Sequence, residues 1–550
     1  MQNYSELLQR LLKNRGIESE SEIEKFLNPN YERDFHDSFL MSDMEKTCVR
    51  IFEAIETGEK IMIYADYDAD GIPGAVILSD LFKKIGYKNF IVYLPQRNSE
   101  GYGLSMSVIK EFADREIKLL ITIDLGITAI AEVAQAEALG IDVIITDHHL
   151  PHENLPKAYA ILNPKVDGYA EKMLCGAGVI FKLVQGFVKK YGEYFKIKDG
   201  WEKWMLDMAG LATLSDMVPL TGENRAIAHF GMRVLRKSPR PGLQKLLAKI
   251  NVQQKYLSED DISFMVVPKL NAASRMDDPM RAFELLATDD EVEAGVLANH
   301  LSKINDERKS IVAGIMREVK KKFEKREMKK VIVIGNPEWR VGVLGLVAGK
   351  LMEEYQKPVF VWGKDENDLI KGSCRSDGSV SIVELMTHNK DAFLEYGGHE
   401  LAGGFTVYND KIHFLEDILS DSFDKIEKLV SKLESKADFV CDLGYVNMKN
   451  WKDVEKMAPF GIGNPKPTFQ FNNVKIEKIK KFGKNGSGEH LEITFVDASN
   501  HKAIAISFFS GHNSFNKTIS EGLNVDLLAT FDLSRFRGRE ELRLRIIEIS

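Results

Sequence analysis

The chain of 550 residues is too long for a single hydrophobic core, and about two to four domains are expected. Hydrophobic residues at 44% and charged residues at 28% exclude a fibrous or disorder-dominated chain, and four scattered cysteines, Cys48, Cys175, Cys374 and Cys441, exclude a disulfide framework or a thiolate zinc site. With 74 Lys and Arg against 82 Asp and Glu, the net charge of −8 excludes indiscriminate attraction to polyanions; a nucleic-acid partner would need local positive charge or bound metal.

Residues 1–45 read as a helical lead-in whose start is an amphipathic helix rather than a signal peptide, and no apolar run is long enough to span a bilayer, so a cytoplasmic protein is expected. Residues 46–297 form the first large domain. From Lys60 to Pro164 strand and helix patterns alternate, as in a doubly wound parallel sheet, with helices expected from near Pro73 and near Thr128; residues 170–300 are mostly helical. Residues 298–330 are strongly charged and predict one connecting helix with a solvated face, in preference to a DNA-binding stripe. A second, smaller α/β pattern occupies 331–435, opening on Val331-Ile332-Val333-Ile334-Gly335. Residues 436–550 alternate with period two between turn clusters such as 483–488, which predicts a small all-β barrel.

Three times in the first domain a buried-strand pattern ends on acidic or imidazole side chains. Ile61 to Tyr64 runs into Asp66-Tyr67-Asp68-Ala69-Asp70-Gly71, Leu119 to Ile123 into Asp124, and Val143 to Thr146 into Asp147-His148-His149. In open α/β sheets the carboxyl ends of neighbouring strands carry the ligand site. Crowded carboxylates repel one another unless cations intervene, and a donor set of carboxylate and imidazole without thiolate favours magnesium or manganese, two ions in the case of phosphoester hydrolysis. The D-x-D-x-D-G string also resembles the opening of a calcium loop, but no glutamate follows at the required position. Asp124 alone is as readily a helix cap, whereas adjacent His148 and His149 project in different directions, so that one can ligate metal while the other faces substrate. The apolar helical run from Leu206 to Leu214 ends in Ser215-Asp216 and offers one more carboxylate.

Taken together, the strings at 66–71, 123–127 (Ile-Asp-Leu-Gly-Ile), 147–149 and 215–216 resemble the DHH phosphoesterases in order and spacing. Further strings stand outside the metal site: Arg97 to Gly103, Lys269 to Met276, Gly372 to Ser376, Tyr396 to Gly404 and Pro459 to Pro465. With these, nearly the whole chain is similar to the bacterial single-strand-specific 5′ to 3′ exonucleases of that superfamily. The resemblance implies a DHH domain, a long connecting helix, a DHH-associated domain and an OB-like nucleic-acid-binding barrel. It implies release of 5′ mononucleotides from single-stranded DNA in repair and recombination, with two divalent ions, manganese or magnesium. A monomer cooperating with a single-strand-binding protein and a helicase, and no membrane, belongs to the same implication.

By the same resemblance Asp68, Asp70, Asp124, His148 and Asp216 hold metal, Asp66 is a ligand or water-holding neighbour, and His149 sits on the scissile phosphate. Arg97, Arg275, Ser373 and Arg375 read the 5′-terminal phosphate, as planar guanidinium forks suit phosphate oxygens. Asn271, Gly397, Gly398 and His399 contact substrate, although read without the family the glycines fit a tight strand-to-helix connection equally well. Arg535, Phe536 and Arg537 are stacking and backbone-neutralising candidates in the barrel. The chain departs from the family at Ile72-Pro73-Gly74, Leu125, Ser274 and Trp339-Arg340-Val341-Gly342, none of them an expected ligand. Two rivals remain: a phosphodiesterase for short oligonucleotides or cyclic dinucleotides, which generally lacks a terminal barrel, and a catalytically silent scaffold, which would have lost ligands that are all present here.

Overall fold

The computed structural model describes residues 4–97, 100–101, 103–166, 168–324, 326–427, 437–483, 490–508, 515, 518–535 and 540–550. The chain falls into two compact units, one comprising residues 36–218 and 230–432 and the other residues 1–35, 219–229 and 433–550.

The first unit is built on a five-stranded parallel sheet of β1 (Lys60–Ala65), β2 (Phe90–Tyr93), β3 (Ile117–Ile123), β4 (Asp142–Thr146) and β5 (Ala160–Leu162), in the order β2-β1-β3-β4-β5. Its central strands are buried on both faces, which is why they read as near-continuous apolar runs. Met62, Tyr64, Leu120, Val143 and Ile145 face a core shared with the helices Met106–Asp114 and Ile130–Ala138. The helices Gly71–Lys84 and Gly176–Tyr191 are almost wholly buried along their first three turns. Because the chain leaves β1 toward β2 and later returns to place β3 on the other side, the strand order reverses between β1 and β3. That switch point opens a crevice at the carboxyl ends of the strands, where the acidic turns lie.

The helix expected near Pro73 begins at Gly71, the proline occupying the first turn where its missing N–H costs nothing. The helix expected near Thr128 begins at Ile130. The connecting helix spans Glu291–Phe323, starting earlier and ending sooner than the charged stretch suggested. Asp290 sets its start, accepting from the N–H groups of Val292 and Glu293 at 2.7 and 2.8 Å.

A second, mixed sheet follows, with order β6-β7-β8-β10-β9: β6 (Ile332–Gly335), β7 (Val359–Lys364), β8 (Ile370–Arg375), β9 (Phe393–Gly398) and β10 (Ala402–Val407). The glycine-rich segment is the hairpin between β9 and β10, not a strand-to-helix connection. Gly397 and Gly398 pair with Gly404 and Gly403, and the His399 N–H donates to the Ala402 carbonyl at 2.8 Å.

In the other unit β11 (Phe439–Val440), β12 (Phe469–Phe482), β13 (His490–Val496), β14 (Lys502–Phe508), β15 (Asn524–Ser534) and β16 (Glu541–Ile549) form the expected barrel, closed by pairing of β12 with β15. Phe469, Phe471, Ile493, Phe495, Leu527 and Leu544 fill its core. The N-terminal helices Glu6–Asn14 and Glu20–Leu27 belong to this core through Leu7, Leu8, Leu11, Leu12 and Ile23. Buried Arg225 is held here too, donating to the carbonyls of Met457, Ala458 and Phe26. No helix among the described residues is long and apolar enough to cross a membrane.

Candidate metal centre and phosphate pocket

The turns that follow β1 and β4 hold their carboxylates against backbone N–H groups, which fixes those side chains before any ligand arrives. Asp68 Oδ1 accepts from the N–H groups of Asp70 and Gly71 at 2.8 and 3.1 Å and closes the turn after β1. Asp70 turns to the N-terminus of the helix Gly176–Tyr191, its two oxygens accepting from Gly176 N–H at 2.6 Å and Ala177 N–H at 2.7 Å. Asp124, following β3, takes a left-handed backbone conformation at φ 63°. A Cβ on Gly176 would lie 2.5 Å from Asp124 Cβ, so the close approach of that helix requires glycine. Asp216 caps the end of the helix Leu206–Ser215, and Ser215 Oγ donates to the Ala69 carbonyl at 2.7 Å, tying that end to the first acidic turn.

These pieces converge. His148 Nε2 lies 3.1 Å from Asp124 Oδ1 and 3.7 Å from both Asp70 Oδ2 and Asp216 Oδ2. Donor atoms of Asp70, His148 and Asp216 lie within 4.8 Å of one another, as do those of Asp66, Asp68 and Asp124, and those of Asp124, His148 and His149. Burial, reinforced by the neighbouring carboxylates, holds Asp66 and Asp124 well above the usual carboxylate range and lifts Asp70 to about 7 and Asp216 to about 8. Burial and the adjacent His149 push His148 down to about 3, leaving a neutral imidazole suited to ligation. Such a set, dominated by carboxylates that repel until cations join them and containing no thiolate, fits hard divalent ions.

His149 is arranged differently. Its Nδ1 lies 2.8 Å from Asp147 Oδ1, and the same oxygen accepts from the backbone N–H groups of both histidines. Burial disfavours a charged ring here, but Asp147 foremost, with Asp216 and Asp66, outweighs it and holds the His149 pKa above its ordinary value. Asp147 was legible only as part of the strand-end string; its orienting contact to His149 depends on the turn geometry.

The arginines stand beside the acidic turn that follows β1. The Arg97 guanidinium lies over the Tyr67 ring at 5.2 Å, and Gln96 beside it donates to Asp278 at 3.1 Å. Arg275 ends the helix Val267–Met276 and donates from Nη1 to the Gly342 carbonyl at 3.2 Å. Ser373 and Arg375 lie on β8, where a Cβ on Gly345 would come within 3.2 Å of Arg375 Nη2 and 3.5 Å of Ser373 Oγ. Gly404 pairs with Ser373 on one side and Gly397 on the other, which places the β9–β10 hairpin in the same row as the pocket. Burial and then Arg97, Arg308 and Arg375 press Arg275 down to about 9, so these four guanidinium groups share one region. Sequence reasoning misses Arg308, because it stands in the charged stretch that reads as a solvated face. Asn271, on the same helix as Arg275, keeps a buried Oδ1 that has no hydrogen-bond partner among the described residues.

Asn98, Ser99 and Tyr102, in the string that carries Arg97, lie outside the described residues, as do Phe536 and Arg537 of the barrel. Arg535 is described and donates to Glu540 at 3.0 Å.

Residues 60–213 match the DHH family, N-terminal domain; residues 328–433 match the DHHA1 domain; residues 437–548 match the RecJ OB domain. The single-stranded-DNA-specific exonuclease RecJ of Escherichia coli strain K12 is 33% identical over 565 residues, covering 99% of this chain and 95% of that protein. Among solved structures, RecJ from Thermus thermophilus in complex with Mn2+ superposes with a TM-score of 0.82 at 24% identity, over 100% of this chain and 76% of that one. A structure of exonuclease RecJ bound to manganese is 29% identical with a TM-score of 0.63, over 72% of this chain and 97% of that one.

Proposed function

The chain belongs to the RecJ family, and from that premise we infer that it is a metal-dependent exonuclease that hydrolyses single-stranded DNA from the 5′ end and releases 5′ mononucleotides. A pair of divalent ions, manganese or magnesium, supplies Lewis-acid polarisation of the phosphodiester and a more acidic attacking water when bound. Asp68, Asp70, Asp124, His148 and Asp216 hold them, and Asp66 completes the acidic wall and orients water. The convergence of Asp70, Asp124 and Asp216 from three separate segments onto His148 is the single observation that carries the reading.

Around that centre the other side chains position the strand. Asp147 fixes the proton of His149 on Nδ1 in the neutral ring and favours the charged ring, so that Nε2 faces outward to a nonbridging oxygen of the scissile phosphate. Arg97, Arg275, Ser373 and Arg375 receive the 5′-terminal phosphate. Several arginines pressed together, with no carboxylate in an ion pair with Arg97, Arg275 or Arg375 among the described residues, call for a multiply charged anion, and a terminal phosphate carries more charge than an internal linkage. Asn271 and the hairpin residues Gly397, Gly398 and His399 contact the terminal nucleotide, the glycines allowing backbone to approach it. The barrel holds the strand beyond the cut. The protein works as a monomer in the cytoplasm, in DNA repair and recombination, with a helicase and a single-strand-binding protein supplying and coating the strand.

The test is digestion of end-labelled single-stranded and duplex DNA, with manganese or magnesium. The expected outcome is mononucleotide release from single strands, and a loss of about a hundredfold or more in Asp124→Ala with secondary structure retained. Full activity in that variant would overturn the ligand assignment.

A further inference from the structure

The segment Asp147-His148-His149 belongs to no helix or strand, so its backbone groups have no regular ladder to join. Side chains take the place of one. The N–H groups of His148 and His149 both donate to Asp147 Oδ1, at 2.7 and 3.0 Å. Their carbonyls are held from the turn that follows β5: Asn163 Nδ2 donates to the His149 carbonyl at 3.0 Å, and Lys165 Nζ donates to the His148 carbonyl. All four backbone polar groups of the histidine pair are thus fixed by three side chains, none of them an assigned metal ligand. The His148 ring itself is bonded to the backbone of Leu174, which sets its rotation and leaves the position of the main chain to Lys165.

The two clamps form one piece. Asn163 is fully buried, and its Oδ1 accepts from the Lys165 N–H at 2.9 Å, which turns the amide NH2 toward His149. The Val166 N–H donates to the Asn163 carbonyl at 3.0 Å and closes the turn, while the Asp147 N–H donates to the Leu162 carbonyl at 3.0 Å and docks the end of β5 beside the histidines. Lys165 is half-buried; burial works against its charge, and the carboxylates of Asp147 and Asp216 support it. By electrostatics alone, an ammonium beside a site that takes up divalent cations opposes their binding. Its contribution there is geometric, through the carbonyl that it holds.

We propose that Asn163 and Lys165 are positioning residues of the exonuclease centre: Lys165 acts through His148 to set the metal site, and Asn163 acts through His149 to aim its imidazole at the scissile phosphate. This rests on the exonuclease reading and adds to it two residues that touch neither metal nor strand. Partners that orient a ligand from outside govern metal affinity or turnover by about ten- to a hundredfold, and a displacement of about an ångström in a reacting group has a similar effect.

The experiment uses the full-length protein and its variants Lys165→Met, Lys165→Arg and Asn163→Ala. Manganese affinity is measured by calorimetry, and kcat and KM on single-stranded oligonucleotides at saturating manganese. In K165M the manganese Kd rises about tenfold, and K165R restores most of it, because a guanidinium can donate to the same carbonyl. The sign is decisive, since removing a positive charge beside a cation site would by electrostatics alone lower that Kd. In N163A kcat falls about tenfold, with KM and the manganese Kd nearly unchanged. An unchanged or lowered Kd in K165M, an unchanged kcat in N163A, or losses that follow the melting temperature alike in all three variants overturns the assignment. Should N163A not fold, the two variants at half-buried Lys165 still decide. Failure of the wild-type protein to degrade single strands, with the manganese Kd still responding to Lys165 as stated, would instead overturn the exonuclease reading, so the two failures are distinguishable.

Discussion

Asp70 and Asp216 show how a metal centre is prepared at the level of single side chains. Burial comes first and neighbouring carboxylates second in lifting them to about 7 and about 8, while a carboxylate in an unfolded chain titrates near 4. A group whose pKa is raised by folding contributes stability that is fully present below its unfolded value and is lost as pH rises through its folded value. The metal-free protein should therefore lose stability from these two groups between about pH 4 and pH 8, where proteins otherwise tend to be most stable. Bound cations replace the protons, so the rise in melting temperature on adding saturating manganese should be larger at pH 8 than at pH 6. Scanning fluorimetry with chelator and with manganese measures it, and an equal rise at both values would show that these carboxylates do not titrate against metal. The carboxylates and histidines at the strand ends were legible in the sequence because each string follows a buried-strand run directly, whereas Asp216 closes an apolar helical run. Arg308 was not, because the local string Asn305-Asp306-Glu307-Arg308-Lys309 carries the charge of an exposed surface.

At the scale of elements, the helix Gly176–Tyr191 does more for the site than its sequence announces. Its first two N–H groups bind the Asp70 carboxylate, and its first residue leaves room for Asp124 only by lacking a side chain. Periodicity reports an apolar helix there, but nothing in a 3.6-residue pattern says that its N-terminus touches two acidic turns from distant parts of the chain. The β9–β10 hairpin was hidden for a related reason, since glycines suit several connections and the pairing partner decides among them. Gly176→Ala should displace Asp124 or lift the helix end from Asp70. Manganese affinity by calorimetry should then fall about ten- to a hundredfold, and stability by about 1–3 kcal/mol. Unchanged affinity would mean that the close approach has no part in shaping the centre.

For the whole molecule, the division into two units cuts across the order of the chain, because residues 1–35 and 219–229 join the barrel rather than the parallel sheet that they flank in sequence. The amphipathic start was visible as a helix, yet the partners of its apolar face, Phe439, Phe469 and Phe471 among them, lie more than 400 residues away, beyond the reach of any local pattern. Leu8 is fully buried in that core, and its truncation removes apolar contacts and leaves a cavity. Leu8→Ala should destabilise the barrel unit by about 2–5 kcal/mol, seen as faster hydrogen exchange in β12, β13 and β15. Every assigned metal ligand belongs to the other unit, so manganese should stabilise that unit by mass action, and protection of the segments 60–71, 117–127 and 142–149 on adding manganese should be the same in the variant as in the parent protein. Loss of that protection in Leu8→Ala would mean that the metal centre depends on the integrity of the barrel core, and the two units would then have to be treated as one cooperative structure.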